Sequence, residues 1–453
     1  MQTRKIELHL MTKGNIWKQI LLFSVPLVLG NLLQELYNTV DSVIVGNYVG
    51  SHGLAAVSAG TALINLFIAF SQGSAVGAGV LIAQYLGAED EKATHSAVHT
   101  SLAVSVVLGA VLSILAFLFG GKILIWMKTP ESVLGEASIY LRIYGIGILF
   151  NIVYNMAAGI INAAGNAKKS LEYLGVASVL NIILDLVLIV GAGMGAAGAA
   201  VATTISQLVS CVLALGYLMQ SREIYRVEIR KIRIQKGMLF RIIALGLPTG
   251  IQNMLTSFSN VIVQSGVNGF GAGAMAGFGA YMKIDGFNIM PIRSFTMAIT
   301  TFAGQNYGAG KGERVKKGMW ITLAIGAIYT VITAVLLLTF SREMIGLFTK
   351  EPEVIRYGVL AMRYLCPFYA ILSVMHILAG VARGLGKTLP PMLILITAMC
   401  VLRVFWVQMI LPHWRSMDML CVVYPISWIL GMVMMAIYTW RNLNGMLENI
   451  AGE

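Results

Sequence analysis

Charge is scarce in this chain: Asp, Glu, Lys and Arg make up 11% of its 453 residues, against 57% for hydrophobic types. A soluble domain carries about 25% charged residues. A chain this apolar cannot cover a water-facing surface, so a soluble fold is excluded and the outer surface is expected to meet lipid. Cysteine is scarce too. Cys211, Cys366, Cys400 and Cys421 lie in or beside apolar segments with no paired spacing, so they read as packing residues. Of six histidines only His95 and His99 have metal-compatible spacing. No carboxylate or cysteine cluster joins them, so no zinc site is expected.

Charge is missing altogether from 93–121, 143–167, 186–221, 242–282, 318–340 and 419–440. A spanning helix needs about 20 mainly apolar residues. The expected spans are 17–42, 54–83, 97–120, 138–161, 171–190, 195–219, 239–263, 275–301, 318–340, 358–381, 389–410 and 419–440. Each is read as a helix, because an isolated strand leaves its backbone groups unsatisfied in lipid. The basic start, MQTRKIELHLMTKGNIWKQ, leads into a long apolar run that continues through Asp41, which suits an uncleaved first span better than a signal peptide.

The net charge of +12 fits cytoplasmic loops, where Lys and Arg are retained. With the N-terminus inside, the inside segments hold 21 Lys and Arg and the outside segments hold 6. The outside set is Lys122, Lys128, Arg342, Lys350, Arg356 and Arg415; the inside set begins with Arg4 and Lys5. That split predicts an even number of spans and two cytoplasmic termini. The most basic stretch, 221–238, is expected to link residues 1–220 to residues 239–453 and to be drawn to anionic headgroups. A nucleic-acid arm would need a fold nearby, and none is present, so no nucleic-acid partner is expected.

The chain repeats itself at a shift of 221 or 222 residues. Pro26, Asn31, Leu33 and Asn38 match Pro248, Asn253, Leu255 and Asn260, and Gln84, Gly87 and Ala88 match Gln305, Gly308 and Ala309. Six spans separate equivalent positions, so the halves share one orientation, a recurrent plan among transporters. The expected fold is an all-α integral membrane protein of twelve transmembrane helices in two pseudo-symmetric six-helix lobes.

Two motifs imitate nucleotide sites. Gly193, Gly195 and Gly198 form a GxGxxG, but they join two apolar spans with no soluble strand before them, so they read as a tight turn and a close helix contact. GLGKT at 384–388 lacks the Gly that a phosphate loop needs at Val381. ATP-driven transport is unsupported.

An ionisable group at bilayer depth costs about 2.5–3.5 kcal/mol on insertion scales, so each needs a partner or a purpose. Asp41, Arg142, Asp185, Lys283, Asp285, Arg293, Arg363 and Arg403 are the candidates. Arg142 and Arg363 are repeat equivalents near span ends and read as structural or snorkelling. Gln34, Asn38 and Asp41 fall in one stripe of the first span. Asn181 lies one turn before Asp185 in the fifth span, and Thr203 and Thr204 follow in the sixth. Two carboxylates in low dielectric do not both stay ionised alone: one holds a proton, or the pair holds a cation. Asp41, Asn181 and Asp185 therefore read as a sodium or proton site. The competing reading is a structural hydrogen-bond network. At the repeat shifts these positions meet Val263, Leu402 and Trp406, so the second half lacks the acids, which favours function. Lys283 and Asp285, two apart, point to different faces, and Arg293 beside Pro291 is placed to balance Asp285. Lys283, Asp285 and Arg293 are candidate substrate residues, together with Gln34 and Asn38.

The stretches PLVLGNLLQELYNTVDSVIVGNYVG, IAQYLGA, NIILDLVLIVGAGMGAAGAAVATTISQ, YMKIDGFNIMPI and TFAGQNYGAG, in that order, resemble the multidrug and toxic compound extrusion (MATE) family over nearly the whole chain. The resemblance implies two six-helix lobes around a cleft open to one side at a time. It implies an antiporter that exports cationic, lipophilic drugs or toxic metabolites in exchange for sodium or protons. By motif match the coupling residues are Asp41, Asn181 and Asp185, with Thr203 as the sixth-span hydroxyl. Glu35 stands where the family usually has Gln, and Arg293 stands where a neutral polar residue is usual. A positive charge there disfavours cationic cargo, so the alternative is a flippase or exporter of lipid-linked or anionic cargo. The expected partners are a small-molecule substrate and the lipid bilayer. No cofactor is expected beyond sodium or a proton as coupling ion. The expected form is a monomer, multi-pass in a bacterial cytoplasmic membrane. A membrane-embedded enzyme would need a reactive cluster at bilayer depth, and none is visible.

Overall fold

The computed structural model describes residues 10–127 and 129–448, and no strand occurs among them. The expectations resting on Arg4, Lys5, Lys128 and the two chain ends lie outside the described residues. The first six long helices are α1 (Ile16–Tyr48), α2 (Ser51–Gly87), α3 (Glu91–Trp126), α4 (Glu131–Ala163), α5 (Ala167–Gly191) and α6 (Gly195–Gln220). The second six are α7 (Lys236–Asn268), α8 (Ala272–Gly308), α9 (Gly312–Thr339), α10 (Pro352–Gly384), α11 (Leu389–Ile410) and α12 (Met417–Glu448). Each predicted span falls on one of these helices, in order. Eleven are long and apolar enough to cross a membrane; the exception, α8, carries Lys283, Asp285 and Arg293. A short helix, Ser341–Gly346, precedes α10, and α10 tightens into a 3₁₀ turn at Cys366–Phe368, where Pro367 has no N–H to give.

Helices in lipid gain little by hiding apolar side chains from one another, so close packing of small residues has to hold them. In the first packing unit, Val25–Gly250, α4 is the central helix and packs on α2, α3 and α6. A Cβ added at Gly120 would fall 2.6 Å from Leu141, and one at Gly109 would fall 2.8 Å from Leu149. On the opposite face of α3, Val107, Val111, Ile114 and Leu118 are exposed, an apolar stripe suited to acyl chains. The second unit comprises Met11–Ser24 and the chain from Ile251 onward. There α10 takes the part of α4 and packs on α8, α9 and α12. A Cβ at Gly384 would sit 2.5 Å from the Thr300 carbonyl oxygen. The backbone repeats with the sequence: Gly165 and Gly386, 221 apart, both turn through positive φ, at 85° and 79°.

Beyond a first passage at Leu10–Met11, the chain passes between the two packing units inside helices. It does so within α1, beside Pro26, and within α7, beside Pro248. The basic stretch 221–238 stays with the first unit and is not bare. Tyr225 and Val227 are buried in its core, and Val227 N–H donates to Leu218 C=O at 3.0 Å.

His95 and His99 serve this attachment. Their rings stack 3.9 Å apart. His99 Nδ1 pairs with the His95 carbonyl at 2.7 Å, and its Nε2 accepts the Glu228 N–H at 2.9 Å. With both ring nitrogens engaged, His99 has none to offer a metal, and no metal-binding group of three occurs among the described residues. Lys231 bonds the Glu228 carboxylate at 2.9 Å and holds that carboxyl below its ordinary range. His99→Phe should cost about 1 kcal/mol and loosen the segment, measured as faster limited proteolysis within 221–235.

Candidate functional site

The fifth-span acid sits where its helix changes form. Asp185 ends the regular α-helical part of α5, and Leu186–Gly191 continue as a π turn. Such turns widen a helix locally and are frequent at functional sites. Gly193 and Gly195, with φ of 66° and 59°, then reverse the chain into α6. That return brings Thr203 to Asn181: Asn181 Nδ2 donates to Thr203 Oγ1 at 3.4 Å, and Thr203 Oγ1 donates to Ala199 C=O at 3.0 Å. Asp185 is 0% and Asn181 1% exposed, and Thr203 is buried as well.

The half-buried Asp41 of α1 lies near enough to Asp185 for the two carboxyls to interact. Neither Asp185 oxygen has a hydrogen-bond partner, nor has Asp41 Oδ1 or Asn181 Oδ1. Because Asn181 spends its amide N–H₂ on Thr203, its oxygen remains as an acceptor. Asp41, Asn181, Asp185 and Thr203 are thus gathered in the first unit as a set of acceptors short of donors. Gln34 is half-buried beside Tyr37, while Asn38 is exposed and only its carbonyl is engaged, by Ser42. Gln34, Tyr37 and Asp41 are the more buried members of this stripe, and Asn38 is its exposed edge. Tyr140 and Tyr144 also face Asp41, and Tyr144 Oη accepts from Gln207 Nε2 at 2.9 Å. Sequence reading missed Tyr37, Tyr140, Tyr144 and Gln207, although Tyr37 and Asp41 share a face at the i, i+4 spacing.

The second unit holds a different cluster. Asp285 is buried on α8, and its Oδ1 accepts from Tyr281 Oη at 2.9 Å and Tyr369 Oη at 2.6 Å. Arg293 and Arg403 act on it electrostatically. Lys283 and Arg293 are exposed, whereas Asp285 is buried. A hydrogen bond to a charged group contributes about 1.5–3 kcal/mol. Tyr369→Phe should lower stability by about that amount, and adding Tyr281→Phe should cost more than either alone, read from fluorescence-detected melting in detergent.

Two six-helix halves of membrane length, with buried polar clusters inside apolar helices, define a multi-pass membrane transporter. The family model MatE matches twice, at residues 26–187 and 248–407, once on each half of the repeat. The chain therefore belongs to the MatE family of MATE multidrug efflux transporters, and it is a transporter, not an enzyme. It is 30% identical over 392 residues to the probable multidrug resistance protein YpnP of Bacillus subtilis, covering 86% of this chain and 88% of that one. It is 30% identical over 436 residues to the probable multidrug resistance protein YoeA of the same organism, covering 93% of each. A solved MATE structure in the bent conformation superposes with a TM-score of 0.90 at 23% identity, over 97% of this chain and 98% of that one.

Proposed function

We propose that this protein is an ion-coupled antiporter that exports lipophilic small molecules, with sodium or a proton taken up at Asp41 and Asp185. The observation that carries this reading is the set of buried acceptor oxygens on Asp41, Asn181 and Asp185 that find no donor in the protein. A buried carboxylate without a partner is strongly disfavoured, so the site needs a positive species to be tolerated. Carboxylate, amide and hydroxyl oxygens suit a hard cation, and a proton shared by the two carboxyls meets the same need. The ion and the cargo must favour different states of one conformational equilibrium for exchange to be coupled. The protein then works as a monomer in a bacterial cytoplasmic membrane, with both termini inside, as the loop charges favour.

The test is uptake into proteoliposomes with sodium and pH gradients imposed separately. Export should follow one of them. If transport runs equally well under neither gradient, the antiporter reading fails. The relatives named as probable multidrug resistance proteins support drugs as cargo.

A further inference from the structure

The buried polar atoms left unpaired in the two units differ in kind. In the first unit the nitrogen- and carboxylate-bearing side chains leave acceptors: Asp41, Asn181, Asp185 and Gln207 oxygens. In the second, Arg403 Nη2, Trp428 Nε1 and Asn288 Nδ2 are unpaired, and all three are donors. One acceptor there, Asn306 Oδ1, belongs to a residue tied to Met11 at the start of the chain.

The repeat places two of these donors where the first half has its acceptors: Trp428 is the equivalent of Gln207, and Arg403 lies beside the equivalent of Asn181. Arg403 lies on α11, the counterpart of α5, one residue after Leu402, which matches Asn181. Its Nε donates to Ser427 Oγ at 3.0 Å, and its Nη1 reaches Asn260 Oδ1 at 3.5 Å. Ser427 and Asn260 are the repeat equivalents of Ser206 and Asn38. Its guanidinium stacks 4.3 Å over the ring of Tyr424, the equivalent of Thr203. Where the first half builds a nest of acceptors, the second half inserts a cation that is only 2% exposed. The surrounding charge has the same sign. His376 lies within electrostatic range of Arg293, Arg383 and Arg403, and the one acid acting on Arg403 is Asp285, already held by two tyrosine hydroxyls.

We propose that the second unit binds the anionic group, carboxylate or phosphate, of an aromatic or lipophilic cargo, with Arg403 Nη2 and Trp428 Nε1, joined through Tyr424, as its donors. A guanidinium presents paired N–H groups in the geometry of a carboxylate or phosphate, and the rings of Tyr424 and Trp428, 6.0 Å apart, offer an apolar wall beside them. This rests on the export reading only in calling the ligand cargo; binding can be measured without transport or gradients.

The full chain in phosphatidylcholine nanodiscs is titrated with fluorescein, an aromatic anion, and with ethidium, an aromatic cation. Fluorescein should bind the more tightly, and benzoate should displace it better than benzylammonium. Arg403→Gln should weaken fluorescein on the order of tenfold or more, with partial recovery in Arg403→Lys and no loss of ethidium affinity. Phosphatidylglycerol in the disc separates two sources of the same chemistry. Displacement of the dye assigns the site to an anionic headgroup, and its absence assigns it to a soluble anion. Tighter binding of ethidium than fluorescein by the unaltered protein, or an unchanged fluorescein affinity in well-folded Arg403→Gln, overturns the proposal. Neither result bears on ion coupling at Asp185, which is read from gradients.

Discussion

Asp185→Asn is expected to remove the dependence of export on the ion gradient while leaving the protein as stable as before or more so. The two effects go together for one physical reason. In the first unit the Asp185 oxygens accept from no N–H or hydroxyl of the protein and face only the Asp41 carboxyl, so an amide there breaks no structural network and removes a buried acid. Leaving a buried polar group unsatisfied costs about 1–3 kcal/mol, more when it is charged, so the gain should be on that scale. A carboxylate built into a structural network would behave the other way and lose stability when neutralised. Coupling free energies between sites are typically about 1–3 kcal/mol, or roughly 5- to 150-fold in affinity. Gradient-driven accumulation should therefore collapse while exchange of cargo down its own gradient continues. Sodium offers an independent reading: at one hundred times its dissociation constant it adds about 2.7 kcal/mol of stability. If sodium couples, the native protein melts higher in sodium than in choline chloride, and the Asn variant does not. A variant that melts markedly lower and still accumulates cargo with an unchanged ion dependence would falsify the coupling role.

Gly77→Leu and Gly246→Leu should each prevent recovery of folded transporter. At the crossing of α2 and α7 the backbones themselves touch. A Cβ on Gly77 would lie 2.3 Å from the Gly246 nitrogen, and one on Gly73 would lie 2.3 Å from the Gly250 Cα and nitrogen. Backbone cannot step aside as a side chain can, so the helices have to separate. Overpacking a core with side-chain neighbours costs about 1–3 kcal/mol; here the cost should exceed that. Gly216→Ala is the control, since nothing lies within 4 Å of a Cβ there. The measure is the yield of monodisperse protein by size-exclusion chromatography. Normal yield and melting of Gly77→Leu would show that this crossing is not a fixed part of the fold.

The twelve helices were legible because lipid imposes the same demand on every span: length, apolarity and few charges. Even α8, interrupted by Lys283, Asp285 and Arg293, was placed as a span at 275–301. The acids were legible for the same reason, since an Asp in an apolar run stands out. The partners were not. Tyr37 and Asn38 look equally suited to join Asp41, and only the packing of α1 turns Tyr37 inward and leaves Asn38 exposed. Arg403 was visible as a charge at bilayer depth, but its place in the counterpart of the acidic corner emerged only with Ser427, Asn260 and Tyr424 around it. The stretch 221–238 reads as linker by charge, yet Tyr225 and Val227 within it are core.

By itself the sequence determined that this chain spans a membrane twelve times, in two like halves, with Asp41 and Asp185 in one half unmatched at the repeat positions of the other. Composition and period suffice for that, because lipid tolerates so few alternatives. Tertiary structure decided which face of each helix turns inward, where the chain passes from one packing unit to the other, and which polar atoms are left without partners. Most of these helices are apolar on nearly all sides, so a polar stripe seldom marks which face is buried. The choice falls to the close approach of glycines and to hydrogen bonds between residues far apart in the chain.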